Sequence, residues 1–149
     1  MALKIKIDIT VDTELLKARY PKGGAISDHD IIDMVQDQGK FEYQEGHRDK
    51  LVSIVSPGSS LKWKIKSKQK GVNLDLLDFV DLDGNMKKVF NSKPGKAGTD
   101  DEYDGAIKTD MGQQSVNTRY AFKFGIKNEP RITWTWDPDV NVPFPPVVP

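Results

Sequence analysis

Residues 61–69 read Leu61-Lys62-Trp63-Lys64-Ile65-Lys66-Ser67-Lys68-Gln69. On an extended chain Leu61, Trp63 and Ile65 share one side, and Lys62, Lys64, Lys66 and Lys68 share the other. That period of two fits a strand and not a helix. The segment therefore predicts a strand with one face in the interior and one in water. Lysines two residues apart on a strand stand ~6–7 Å from each other. Their repulsion must be relieved by solvent or by acids on neighbouring strands, and Asp75 and Asp78 follow closely enough to serve. A lysine-rich strand also suits a sheet edge defended against unwanted pairing; a surface for phosphate or a glycan is the alternative.

The same pattern recurs on both sides of this stretch. Leu3, Ile5, Ile7 and Ile9 alternate with Lys4, Lys6, Asp8 and Thr10, and residues 118–126 form another long apolar strand. Shorter strands are expected at 31–35, at 51–55 before the Pro57-Gly58 turn, at 74–82, at 106–109 and at 131–136. Asp83-Gly84-Asn85 reads as a hairpin turn with residues 86–90 as its returning arm. One short helix is expected after the Asp12-Thr13 cap, stopped by Pro21 and Gly23-Gly24. Residues 36–50 are polar and show no readable period. Strands in such excess predict an all-β fold, an antiparallel β-sandwich of Greek-key or jelly-roll type with at most one short helix. A single domain is expected over residues 1–141. Residues 142–149 hold four prolines in eight positions, which favours an extended polyproline tail. That tail either lies along the body through Phe144 and the valines or reaches a neighbouring copy.

Charge and composition narrow the function classes. In 149 residues, 22 Lys+Arg balance 22 Asp+Glu, and cysteine is absent. A net charge of zero supplies no field that favours nucleic acid or an anionic membrane, and it leaves little long-range repulsion between copies. Without cysteine there are no disulfides, thiolate metal sites or cysteine nucleophiles. The amino-terminal alternation of charged and aliphatic residues is unlike an export signal, and no apolar run approaches the ~20 residues that span a bilayer. A cytoplasmic protein is expected, with leaderless export still open, and no cofactor.

Several constellations carry candidate chemistry. Trp134 and Trp136 alternate with Thr133 and Thr135, so both indoles leave the same strand face. They are either core residues or a sugar-stacking platform. Asp100, Asp101, Glu102 and Asp104 form an acidic loop, either solvated or metal-binding. Asp78, Asp81, Asp83 and Asn85 around Gly84 resemble half a calcium loop but lack the closing Glu, and a hairpin turn explains the same residues more simply. His29 lies in Asp28-His29-Asp30, a polar turn by the simplest reading, and His47 lies 18 residues further on. No Gly-x-Ser-x-Gly elbow accompanies either histidine.

Three segments together resemble the AidA/PixA family of bacterial inclusion-body proteins. They are residues 7–14 continuing to Arg19-Tyr20-Pro21, then Ile26-Ser27-Asp28-His29, and lastly residues 120–126 followed by Trp136-Asp137-Pro138. The resemblance covers under half of the chain, and residues 36–108 take no part in it. It implies a small cytoplasmic protein of host-associated bacteria that accumulates to high levels, sometimes as crystalline inclusions. One departure is the methionine count of four, where inclusion proteins of this kind can be methionine-rich. The expected function is a non-enzymatic structural or interaction protein that self-associates as a homo-oligomer. A carbohydrate- or lipid-binding module, using the aromatic face or the acidic loop, is the alternative.

Overall fold

The structure, a computed structural model, describes residues 2–146. Among them the chain forms β1 (Lys4–Val11), α1 (Thr13–Arg19), β2 (Gly24–Ala25), β3 (Ile32–Gln36), β4 (Lys40–Tyr43), β5 (Leu51–Ile54), β6 (Ser60–Ser67) and β7 (Leu74–Asp81). Then follow α2 (Met86–Val89), β8 (Gly95–Lys96), β9 (Glu102–Ala106), β10 (Val116–Ile126), β11 (Thr133–Trp136) and β12 (Asp139–Val142). The strands build two mixed sheets that face each other in a sandwich-like arrangement.

The first sheet runs β3-β1-β6-β9-β8. β1 and β6 lie parallel, with Ile7 beside Trp63 and Ile9 beside Ile65, so both alternating segments send their apolar side to the same interior. The lysine strand is thus central rather than an edge. Its repulsion is relieved by β9, which sets Asp104 opposite Lys62 and Glu102 opposite Lys64. The expected partners differ: Asp78 pairs instead with Lys93, at 2.6 Å.

The second sheet is organised around β10. On one side lies β7, with a bulge between Lys123 and Phe124. On the other, β11 and β12 keep one register, Phe122 opposite Trp136 and Arg119 opposite Asp139, and act as a single strand interrupted at Asp137-Pro138. Beyond them β2 runs parallel to β11 and β5 parallel to β12, and β4 closes the sheet antiparallel to β5.

Between the sheets, Trp63 meets Phe79, Phe90, Tyr120 and Phe122 at centroid separations of 5.4 to 6.2 Å. Phe79 stacks on Tyr120 at 4.4 Å. Aromatic pairs of this kind add roughly 0.5–1.5 kcal/mol each beyond the area they bury, so this cluster is the principal bond between the layers.

Three further expectations are corrected. The sheets are mixed, because β1–β6, β2–β11 and β5–β12 are parallel pairs. Residues 86–90 are not a returning strand: Met86, Val89 and Phe90 fall at i, i+3 and i+4, the spacing of one helical face, and Phe90 N–H donates to Met86 O at 2.9 Å. The strand expected at 106–109 lies at 102–106, where Tyr103 turns inward opposite Trp63. The helix after Asp12 forms as expected, with Leu15 N–H donating to Asp12 Oδ1 at 3.2 Å. Among the described residues no helix is long and apolar enough to cross a membrane.

Val142 is the buried last residue of β12, paired with Val116. The tail is tethered where Phe144 N–H donates to Ser115 Oγ at 2.8 Å, while the Phe144 ring stays exposed. Residues 147–149 of the tail lie outside the described residues.

Candidate functional site

Trp134 and Trp136 are core residues, 1% and 2% exposed. Trp134 Nε1 donates to Tyr20 O at 2.9 Å, and Trp136 Nε1 points at Met34 Sδ, 3.5 Å away. Their ring faces are taken by Phe122 and Phe124. Sugar stacking needs an open ring face, and here β11 turns both indoles inward.

The acidic loop is a tight turn between β8 and β9. Asp100 Oδ1 is 2.9 Å from Lys96 Nζ, and that ammonium holds the Asp100 carboxyl below the usual carboxylate range. Thr99 Oγ1 donates to Asp101 Oδ1 at 2.7 Å. Glu102 sits between Lys62 and Lys64, 3.8 Å from each ammonium. These carboxylates diverge towards separate partners. Their main chain joins the two layers instead, since Asp100 O accepts from Leu76 N–H at 2.8 Å and Asp101 O from Ile65 N–H at 2.9 Å, one from each sheet. With Lys66, Lys70, Asp75 and Lys127, Asp100 and Asp101 line an open polar groove of ≈ 660 Å³. The acids near Gly84 form a turn, in which Asp81 Oδ1 accepts from Gly84 N–H at 2.9 Å and Asp83 Oδ1 from Asn85 N–H at 3.0 Å. Among the described residues, no three His, Asp or Glu side chains are grouped so as to hold a metal ion.

The more organised polar site lies where the 26–31 and 44–50 segments meet. His29 Nδ1 is 3.0 Å from Oδ1 and 3.2 Å from Oδ2 of Asp49, whose side chain is 1% exposed. The His47 ring stacks on His29 at 3.7 Å between centroids and 9° between planes. Each segment is fixed from behind. Residues 44–50 form a closed turn in which His47 N–H donates to Gln44 O and Lys50 N–H to His47 O, both at 3.0 Å. Its reversal uses left-handed backbone at Glu45 and Gly46, φ 53° and 76°. The 26–31 segment is held by Arg19 Nη1, 3.0 Å from Asp28 Oδ2 and 2.7 Å from Asp30 Oδ1, and by Tyr20 Oη, which accepts from Ser27 N–H at 3.0 Å.

This geometry decides what the cluster can do. The two rings are nearly parallel, so their in-plane nitrogen lone pairs lie in separate planes and do not converge on one ion. The Asp49–His29 contact is of the kind by which a buried carboxylate orients an imidazole in hydrolytic triads. Among the described residues no hydroxyl hydrogen-bonds either imidazole, so a nucleophilic partner is missing from the arrangement.

Next to this cluster, Asp137 links the second sheet to the 44–50 turn. Its Oδ1 accepts from Lys50 Nζ, and its Oδ2 lies 2.8 Å from Arg119 Nη2. Burial pushes the Asp137 carboxyl up, but the hydrogen bonds and charges of Lys50 and Arg119 outweigh it and hold the group below the usual range. Asp139, two residues on, goes the other way. Burial raises it, and the bond from Asn117 Nδ2 at 3.0 Å offsets only part of that.

No family model matches this sequence, and no curated protein does. Among solved structures the chain is similar to the inclusion body protein PixA from Burkholderia cenocepacia J2315, with a TM-score of 0.69 and 14% identity over 96% of this chain and 97% of that one. The resemblance read from three sequence segments is therefore present as a likeness of fold. The first two of those segments also meet in space, where Arg19 and Tyr20 hold Ser27 and Asp28, and the strand that leads into the third meets both: Trp134 donates to Tyr20 O, and Ile26 N–H donates to Thr135 O at 2.8 Å.

Proposed function

We propose that this chain is a non-enzymatic structural protein that self-associates and accumulates in the cytoplasm. The observation that carries this reading is the end-to-end likeness to a protein described as an inclusion body protein, 96% of one chain against 97% of the other. Zero net charge supports it by leaving little long-range repulsion between copies. The test is expression in a bacterial host, with electron microscopy of cell sections and sedimentation of the purified chain over a concentration series. Ordered inclusions, or a sedimentation coefficient that rises with concentration, are expected. A monomer at every concentration, with no inclusions, would overturn it.

One observation favours a second reading, general-base catalysis. Buried Asp49 orients His29, and Nε2 of that ring makes no hydrogen bond among the described residues. Hydrolysis of activated esters by the wild type and by His29→Ala separates the two readings, because equal rates would remove His29 from any catalytic role. Carbohydrate or lipid binding through Trp134 and Trp136 has no open ring face to use.

A further inference from the structure

The outermost strand of a sheet carries N–H and C=O groups that need a partner or protection. In the first sheet β8 is two residues long, and β3 is covered where Met34 N–H donates to Arg48 O at 2.9 Å and the Tyr43 hydroxyl donates to Met34 O at 2.5 Å. In the second sheet β2 is also two residues long. The β7 edge is met by Asp100 O at Leu76 N–H, and it carries Asp75, Asp78 and Asp81, which repel another acidic edge.

β4 is different. Lys40, Phe41 and Glu42 are all exposed, and the Phe41 ring, 41% exposed, meets one aromatic ring among the described residues, that of Tyr43, edge-on at 5.9 Å. Two bonds fix which way its main chain faces. Gln44 N–H donates to Lys50 O, which in the β4–β5 register makes Glu42/Val52 and Lys40/Ile54 the hydrogen-bonded pairs. Val55 N–H donates to Asn141 O, which turns Val55, and Ser53 with it, towards β12 and agrees with that assignment. The N–H and C=O of Phe41 therefore point outward, away from β5.

We propose that this edge pairs with β4 of a second copy of the chain, antiparallel and two-fold symmetric about Phe41. The inference rests on the self-association reading and gives it a surface. In this register the two Phe41 residues exchange both main-chain hydrogen bonds. Lys40 of each copy stands opposite Glu42 of the other, at the ~4.5 Å Cα spacing of a non-hydrogen-bonded pair, where side chains approach closest. Charge selects this register. Centring on Lys40 or on Glu42 would still pair outward-directed main chain, Phe41 against Gly39 or Tyr43 of the second copy, but it sets like charges opposite each other at the two-fold axis. The contact also brings together two phenylalanine rings that each copy leaves in water. Being isologous, it closes at two copies, so it makes a dimer rather than a filament.

The test is sedimentation of four forms of the full chain, the wild type, Lys40→Glu, Lys40→Glu with Glu42→Lys, and Phe41→Asp, with circular dichroism to verify folding. Lys40→Glu replaces both attractive pairs with repulsive ones, and the dimer should weaken on the order of tenfold. The double exchange restores opposite charges and should return the dissociation constant to near the wild-type value, which a merely structural role for these exposed residues would not produce. Phe41→Asp should leave a folded monomer. Self-association that is indifferent to all three variants would overturn this interface while leaving the proposed function standing. A wild type that stays monomeric at every concentration would overturn this interface, and if cells also hold no inclusions it would overturn the proposed function with it.

Discussion

Trp63 Nε1 donates to the hydroxyl of Tyr120 at 3.2 Å in the interior, a hydrogen bond from the centre of one sheet to the centre of the other. Both side chains are fully buried, so neither polar group has water to fall back on. Burial also drives the Tyr120 hydroxyl far above its ordinary range, with the Trp63 bond opposing only part of that, so it stays neutral.

Tyr120→Phe keeps the ring stacked on Phe79 and removes only the hydroxyl. It strands the Trp63 N–H, and the expected loss is about 1–3 kcal/mol in urea denaturation. Trp63→Phe with Tyr120→Phe should cost less than the sum of the single changes. Additive losses would mean that the bond contributes nothing.

Asp137 and Asp139 should give stability opposite dependences on pH. The folded pKa of Asp137 is depressed, so its contribution is present above the unfolded pKa and is lost as pH falls through the folded one. Asp137→Asn should flatten the acid limb of a plot of urea midpoint against pH. The folded pKa of Asp139 is raised, so its contribution is full below the unfolded pKa and is lost as pH rises through the folded one. Asp139→Asn should therefore match or exceed the wild type near neutrality and lose that advantage in acid. Two parallel curves would contradict this assignment.

Gly23 precedes β2 with φ +83°, and a Cβ there would press into the main-chain carbonyl of Thr133. Neither the left-handed backbone nor the contact can be relieved by a side-chain rotation. Gly23→Ala should cost roughly 3 kcal/mol and should loosen the β2–β11 pairing first. Hydrogen exchange at Ile26 N–H, which donates to Thr135 O, is the local readout.

Strand identity was legible wherever apolar and charged residues alternate strictly, as at 4–11 and 60–67, because a half-buried strand imposes that pattern. Strand direction was not. Ile7 beside Trp63 is a parallel pair between segments joined by more than 40 residues, and no local turn announces it. α2 carried a readable signal in Met86, Val89 and Phe90, masked by the Asp-Gly-Asn turn before it. The stacking of His29 on His47 left no trace in the sequence, because each ring is placed by a loop whose position is set by strands elsewhere. Trp134 and Trp136 were legible as a pair on one face; which face was decided by Phe122 and Phe124 on the neighbouring strand.

The central place of β10 has a consequence for synthesis. Every strand of the first sheet lies within residues 4–106, so that sheet can pair while the chain is still being made. The opposing layer needs residues 116–142, which are made later. At ~5–20 residues per second, the greasy side of the early sheet, with Ile7, Trp63 and Tyr103, stays bare for seconds in each nascent molecule. Neighbouring ribosomes on one message thus hold sticky half-built copies side by side, and crowded translation is the moment when this protein is most prone to cluster.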